Sequence, residues 1–65
     1  MLKLTFEHDA AGDRINWHIT DGPIDHHDWT AIFKGDSIGQ TLPIALQTAM
    51  AYYYAAADRI SKDGP

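Results

Sequence analysis

Apolar and polar residues alternate along two short runs near the start of the chain. The apolar positions are Leu2, Leu4 and Phe6 in the first run and Ile15, Trp17 and Ile19 in the second. A period of two is typical of a strand with one buried face. The segment DAAG between the runs ends in a glycine, which can adopt positive φ, so the two runs predict a β-hairpin.

A loop of four residues, 9–12, predicts the register of this hairpin. It places His8 opposite Asp13, and all the apolar residues of both runs then share one face of the sheet. The same register places Glu7 opposite Arg14, a cross-strand ion pair worth about 0.2–1 kcal/mol.

The segment that follows contains the breaker DGP, at residues 21–23, which predicts the end of the second strand. Residues 28–34 alternate again and predict a third strand after a short irregular or helical entry, with an apolar face of Trp29, Ala31 and Phe33. A helical turn starting at Pro23 is the alternative interpretation, because aspartates at positions 25 and 28 suit the first turn of a helix.

From Thr41 onwards the apolar spacing is that of a helix. Thr41 is the predicted N-cap, and Pro43 is compatible with the first turn. Basic residues at positions 59 and 62 suit the C-terminal end, and Gly64 with Pro65 predict its close. The stripe expected to face the sheet consists of Leu42, Leu46, Ala49, Tyr53, Ala56 and Ile60. The sequence therefore predicts a single α+β domain over residues 1–65, in which a three-stranded antiparallel sheet packs on one long C-terminal α-helix.

Composition limits the classes of function. The chain has 65 residues, no cysteine and a net charge of −4. A disulfide framework and a thiolate zinc site are excluded, and direct nucleic-acid binding is not expected without a basic surface. The N-terminal sequence MLKLTFEHDA lacks the features of a signal peptide. The longest nearly apolar stretch, AMAYYYAAA, is far shorter than the ~20 residues of a membrane span. A cytoplasmic protein without membrane contact is expected.

The charges are unevenly distributed along the chain. Residues 7–36 carry only two basic side chains, Arg14 and Lys34, whereas residues 37–57 carry no charge at all. The acidic side chains fall mainly in predicted loops, where binding residues concentrate. We therefore expect these acids, in one patch or in two, to bind a basic groove on a protein partner; they are Glu7, Asp9, Asp13, Asp21, Asp25, Asp28 and Asp36.

No motif in the sequence indicates catalysis or a cofactor. The segment GDSIG around Ser37 resembles a nucleophile elbow, but a chain of this length has no room for the large sheet and converging histidine that the motif needs. A third hypothesis is a metal-binding protein centred on His26 and His27, with further donors from Asp25, Asp28, His8 and His18. Adjacent side chains diverge on a strand or a helix, however, so His26 and His27 cannot easily share one ion. We expect no enzyme, no cofactor and no metal site.

Three consecutive tyrosines, Tyr52 to Tyr54, span about 200° of a helix, so at least one of them must be exposed. Tyrosine is enriched at interfaces, and the surrounding surface is free of charge. The alternative function is therefore an interaction or homodimerisation module that uses this helix, which makes the chain a monomer or a weak homodimer.

In its short length, its acidic character, its lack of cysteine and its lack of catalytic motifs, the whole chain resembles the anti-CRISPR proteins that phages encode, in particular those directed at type I systems and possibly type I-C. Several anti-CRISPR proteins imitate DNA. The resemblance implies an inhibitor that acts in the bacterial cytoplasm and prevents target DNA binding by a type I CRISPR effector complex.

Overall fold

The computed structural model describes residues 1–63. Its elements, in chain order, are β1 (Lys3–Asp9), β2 (Arg14–Asp21), β3 (Ile24–Ala31) and α1 (Ile38–Asp63). The strands form one antiparallel sheet in the order β1-β2-β3. The predicted α+β fold is thereby confirmed. The predicted helix close at Gly64 and Pro65 lies outside the described residues.

The first hairpin forms, but its register differs from the predicted one by two residues. Asp9 pairs with Arg14, and Phe6 pairs with Trp17. The predicted ion pair of Glu7 with Arg14 is therefore wrong, because Glu7 lies opposite Asn16. A shift of two residues leaves each side chain on its original face, so the shared apolar face survives the error.

The loop of this hairpin explains the shift. Asp9 accepts hydrogen bonds from the Gly12 amide at 3.1 Å and from Arg14 Nε at 3.2 Å, so it ends the strand instead of entering the loop. The residue with positive φ is Asp13, at 50°, and not Gly12. Aspartate tolerates the left-handed region better than most residues because its short polar side chain can bond locally.

The second hairpin was missed in the sequence. Gly22 has a φ of 60°, and the ring of Pro23 fixes a negative φ, the signs required by a two-residue type II′ turn. Asp21 consequently pairs directly with Ile24, and the third strand begins there. The predicted third strand therefore exists, but its bounds of 28–34 were wrong, since it spans Ile24–Ala31. Its predicted apolar face was also wrong, because Trp29 and Phe33 are exposed. The alternative helical turn was wrong.

The helix begins earlier than predicted, with Ser37 as its N-cap in place of Thr41. The Gln40 amide donates to Ser37 Oγ at 3.1 Å, and Gln40 Oε1 accepts from the Ser37 amide at 2.7 Å. This reciprocal pair is a capping box of the form S-x-x-Q. Pro43 therefore lies in the second turn, inside the helix.

The core lies between α1 and the two strands β2 and β3, against which the helix packs. Its buried residues are Ile15, Trp17, Ile19, Ile32, Ala45 and Ala49. The predicted helix stripe was partly wrong. Ala49 and Ala56 are buried, whereas Leu42, Leu46 and Ile60 are exposed. Small side chains face the sheet because the large side chains of β2 already fill the space between the layers. Within the described residues, no helix is long and apolar enough to cross a membrane.

Candidate functional site

The sheet has one face covered by α1 and one face without a covering layer. The inner face carries the buried side chains of β2. The outer face carries Arg14, Asn16 and His18 from β2 and Asp25, His27 and Trp29 from β3. The side chains of Thr5, Asn16, His18, His27 and Trp29 border an open cavity of about 560 Å³ on this face. The outer face therefore carries an open concave surface.

The two adjacent histidines lie on opposite faces of β3. The ring of His26 stacks on Tyr52 of α1, with centroids 3.9 Å apart, and so belongs to the inner face. The ring of His27 stacks on His18 across the outer face, with centroids 3.7 Å apart and planes 15° apart. The expectation that these histidines point apart is confirmed, and each has a different aromatic partner.

A second contact joins His18 to a carboxylate. Asp25 lies two residues before His27, on the same face of β3, and its Oδ1 is 2.6 Å from His18 Nε2. One donor atom from each of His18, Asp25 and His27 lies within 4.8 Å of the others. The pairing of β2 with β3 thus assembles a compact group of two imidazoles and one carboxylate.

Another cluster of side chains lies nearer the loop of the first hairpin. The Arg14 guanidinium lies over the Trp29 ring, 5.3 Å from its centroid, while its Nε contacts Asp9. Such a cation–π contact at an exposed position is worth about 0.5–1 kcal/mol. Trp29 is nevertheless 52% exposed, so most of this ring remains available for contact.

Four of the seven acidic residues predicted to bind a partner are already engaged within the chain. Asp9 contacts Arg14, Asp25 contacts His18, and Asp28 contacts His26. Asp21 accepts a hydrogen bond from the Tyr53 hydroxyl at 2.6 Å and pairs with the Met1 amino group at 3.2 Å.

Hydrogen bonds also keep three of these carboxyl groups ionised. The Gly12 amide and then Arg14 lower the pKa of Asp9, and the Tyr53 hydroxyl and then the Met1 amino group lower the pKa of Asp21. The amide of Trp29 and then His26 lower the pKa of Asp28. A lowered pKa means that the folded chain favours the charged form, so these side chains are negative at neutral pH.

Within residues 1–63, the side chains of Glu7, Asp13 and Asp36 make no ion pair. The Ile32 amide bonds to the Asp13 carbonyl at 3.0 Å, and the Asp36 amide bonds to the Phe33 carbonyl at 2.9 Å, so both aspartates lie at the same end of the sheet. We call residues 10–13 together with residues 32–37 the hairpin end. Asp21 and Asp25 lie at the opposite end of β2 and β3, about 26 Å away along an eight-residue strand. The acids therefore form two groups and not one surface.

Sequence reasoning counted His18, Asp25 and His27 among the possible metal donors but did not predict that these three lie together. The signal was present in Gly22-Pro23, because a two-residue turn there sets His18 directly opposite His27. No family model matches this sequence, and comparison with curated proteins and with solved structures found no significant match.

Proposed function

We propose that this chain is a small acidic binding protein that inhibits a protein partner by covering a basic surface used to bind nucleic acid. The proposed target class is a type I CRISPR effector complex, whose DNA-binding channel the inhibitor would occupy as an anti-CRISPR protein does. The observation that supports this proposal is the hairpin end, which carries two carboxylates without ion pairs and an exposed aromatic ring.

The chemistry of the hairpin end fits such a contact. Phe33 is 71% exposed, more than the other aromatic side chains with large exposure, Trp29 and Tyr54. An exposed aromatic ring supplies apolar contact area at low entropic cost, and aromatic residues are enriched at interfaces. Asp13 and Asp36 add negative charge at the same end of the sheet, which steers the protein toward a basic surface and raises the association rate.

Four of the seven acids predicted to bind a partner are already bonded within the chain, which reduces the set expected to contact that partner. A carboxylate that is already bonded within the chain must give up that contact to bind a partner. Glu7, Asp13 and Asp36 are therefore the acids on which binding is expected to depend most. Asp9, Asp21, Asp25 and Asp28 contribute to the overall negative charge of the molecule.

The test compares two triple variants with the same net charge. One carries Glu7→Gln, Asp13→Asn and Asp36→Asn, and the other carries Asp25→Asn, Asp28→Asn and Asp58→Asn. The measurement is target-DNA binding by a purified type I effector complex, by gel shift, against inhibitor concentration and salt. We expect the first variant to lose inhibition by about tenfold or more, because its steering charges are removed. The second is expected to stay close to the parent.

Two results would contradict this proposal. Equal losses in both triple variants would mean that net charge alone matters and that the hairpin end is not the contact surface. Full inhibition by both variants, or the absence of inhibition by the parent chain, would reject the acidic-surface mechanism itself.

A second candidate function, homodimerisation, is favoured by a separate observation. Because α1 packs on β2 and β3, the inner side of β1 stays partly uncovered, and Phe6 there is exposed. Leu42 and Leu46 are also exposed, on the flank of α1 that carries the half-buried Met50 and Tyr53. A second copy could pair its β1 with this open edge around a twofold axis and cover both apolar surfaces.

The dimer is tested by sedimentation velocity over a range of protein concentrations. We expect Leu46→Glu to abolish association, whereas Ile44→Glu should not, because position 44 lies about 200° away around the helix. Both side chains are exposed, so both variants should fold. A parent chain that stays monomeric at high concentration would reject this function.

A further inference from the structure

The cluster of His18, Asp25 and His27 on the outer face has no role in the proposed inhibitor mechanism. We propose that it is a binding site for a divalent transition-metal ion, with Zn²⁺ as the expected occupant. The two imidazoles come from paired positions on β2 and β3, and the carboxylate comes from the residue two before His27. The proposal is independent of the hairpin end, which lies at the other end of the strands.

The distances in this cluster are close to those that a metal ion requires. Zinc binds imidazole nitrogen at about 2.0–2.1 Å, which places two tetrahedral ligands about 3.3 Å apart. The donor atoms already lie within 4.8 Å of one another, and His18 Nε2 and Asp25 Oδ1 are 2.6 Å apart. Closing the remaining gap requires a movement of about 1–2 Å, which is within reach of side-chain rotation.

The three side chains of this cluster are free to rotate. Asp25 and His27 are exposed, and His18 is partly exposed, so none of the three is held by surrounding core. The two imidazole planes are only 15° apart in the stack, whereas ligation needs both rings to direct a nitrogen lone pair at one point. Metal binding must therefore unstack the two rings.

The donor set selects the kind of metal. Two imidazoles and one carboxylate suit Zn²⁺, Ni²⁺ and Cu²⁺, whereas Mg²⁺ and Ca²⁺ prefer oxygen ligands. Three protein ligands leave at least one coordination position for water. On this face Lys3 lies in the same row of the sheet as Asp25, with Thr20 of β2 between them.

The neighbouring histidine provides a matched control. His26 is adjacent to His27 in the sequence, but its ring stacks on Tyr52 on the inner face and cannot reach the cluster. A metal site on the outer face therefore requires His27 and does not require His26. Nonspecific binding to surface histidines would make the two positions equivalent.

The experiment titrates Zn²⁺ into the full chain, without a histidine tag, by calorimetry at pH 7.5, with Mg²⁺ as the comparison ion. We expect one zinc per chain and no heat from Mg²⁺, which prefers oxygen ligands. His18→Ala and His27→Ala should each weaken zinc binding by about tenfold or more, and Asp25→Asn should weaken it less. His26→Ala should bind zinc as the parent does.

A paramagnetic ion locates the site without relying on variants. Substoichiometric Cu²⁺ should broaden the amide resonances of residues 18, 25 and 27 before those near His8 in a ¹H–¹⁵N spectrum. The proposal is overturned if millimolar Zn²⁺ produces no heat, if His26→Ala and His27→Ala weaken binding equally, or if the broadening begins elsewhere. Circular dichroism of each variant establishes that a lost site is not a lost fold.

Discussion

The two faces of the sheet come from the same strands, yet one holds the fold together and the other carries exposed polar and aromatic clusters. On the inner face Trp17 is 2% exposed and packs under α1, and its indole nitrogen donates to Thr30 Oγ1 at 3.2 Å. On the outer face Trp29 is 52% exposed and contacts mainly Arg14. Side chains alternate along a strand, so neighbouring residues lie on opposite faces of the sheet. One residue therefore stabilises the core, and the next contributes to the exposed surface.

The largest expected difference in the free energy of unfolding is between the variants that truncate Trp17 and Trp29. Trp17→Ala removes a buried ring and leaves a cavity, which typically costs about 3–5 kcal/mol. A domain of this size has a total free energy of unfolding of roughly 3–10 kcal/mol, so this variant should be largely or wholly unfolded. Trp29→Ala should cost less than about 1 kcal/mol, because it removes only an exposed cation–π contact.

Urea denaturation followed by circular dichroism measures both variants. The distinction between the faces would break down if Trp29→Ala unfolded the chain to a similar extent as Trp17→Ala. It would be sharpened if Trp29→Ala left stability unchanged but altered inhibition of the effector complex, since the outer face would then take part in binding.

The period of two made the inner face predictable from sequence. Ile15, Trp17 and Ile19 were assigned to one buried face, and that assignment tolerated a register error of two residues. The outer face was not predictable in the same way, because its clusters depend on which residues lie opposite each other. The proline in DGP was interpreted as a break, although Gly22 before it supplies the positive φ that a tight turn needs.

The helix shows a different limit of sequence reasoning. Apolar spacing alone favoured Leu42 and Leu46 as the buried stripe, because large aliphatic side chains gain most from burial. The structure instead buries Thr41, Ala45 and Ala49, which let the helix backbone approach the large residues of β2. The apolar spacing predicts how many helix positions are buried. The volume already filled by the large side chains of β2 decides which positions face the sheet. The S-x-x-Q cap at Ser37 would have corrected the start of the helix.

A smaller effect on stability is expected from replacing a single alanine of α1 with leucine. Ala49 is fully buried against the sheet, so Ala49→Leu forces extra volume into a filled layer and should cost about 1–3 kcal/mol. Ala51→Leu makes the same chemical change about 200° away on the exposed side and should change stability by less than about 0.5 kcal/mol. Thermal unfolding of both variants checks the pair. Equal stabilities would mean that α1 does not pack closely on the inner face.

The smallest effect is expected at the edge of the inner face, where Tyr53 donates to Asp21. This hydrogen bond lowers the pKa of Asp21 and raises that of Tyr53. A lowered carboxyl pKa stabilises the fold above the unfolded value, about pH 4, and that contribution disappears as pH falls through the folded pKa. A raised phenol pKa stabilises the fold below about pH 10, and that contribution is lost as pH rises through the folded pKa.

Tyr53→Phe removes only the hydroxyl, so its loss of stability should be present between about pH 4 and pH 10 and should shrink toward both extremes. Urea denaturation of parent and variant at pH 2.5, 7 and 11 measures this difference. Tyr54→Phe is the control, because Tyr54 is exposed and its hydroxyl has no hydrogen bond within the described residues. A deficit for Tyr53→Phe that is constant at all three pH values would mean that the hydroxyl stabilises the fold by packing and not through the charge of Asp21.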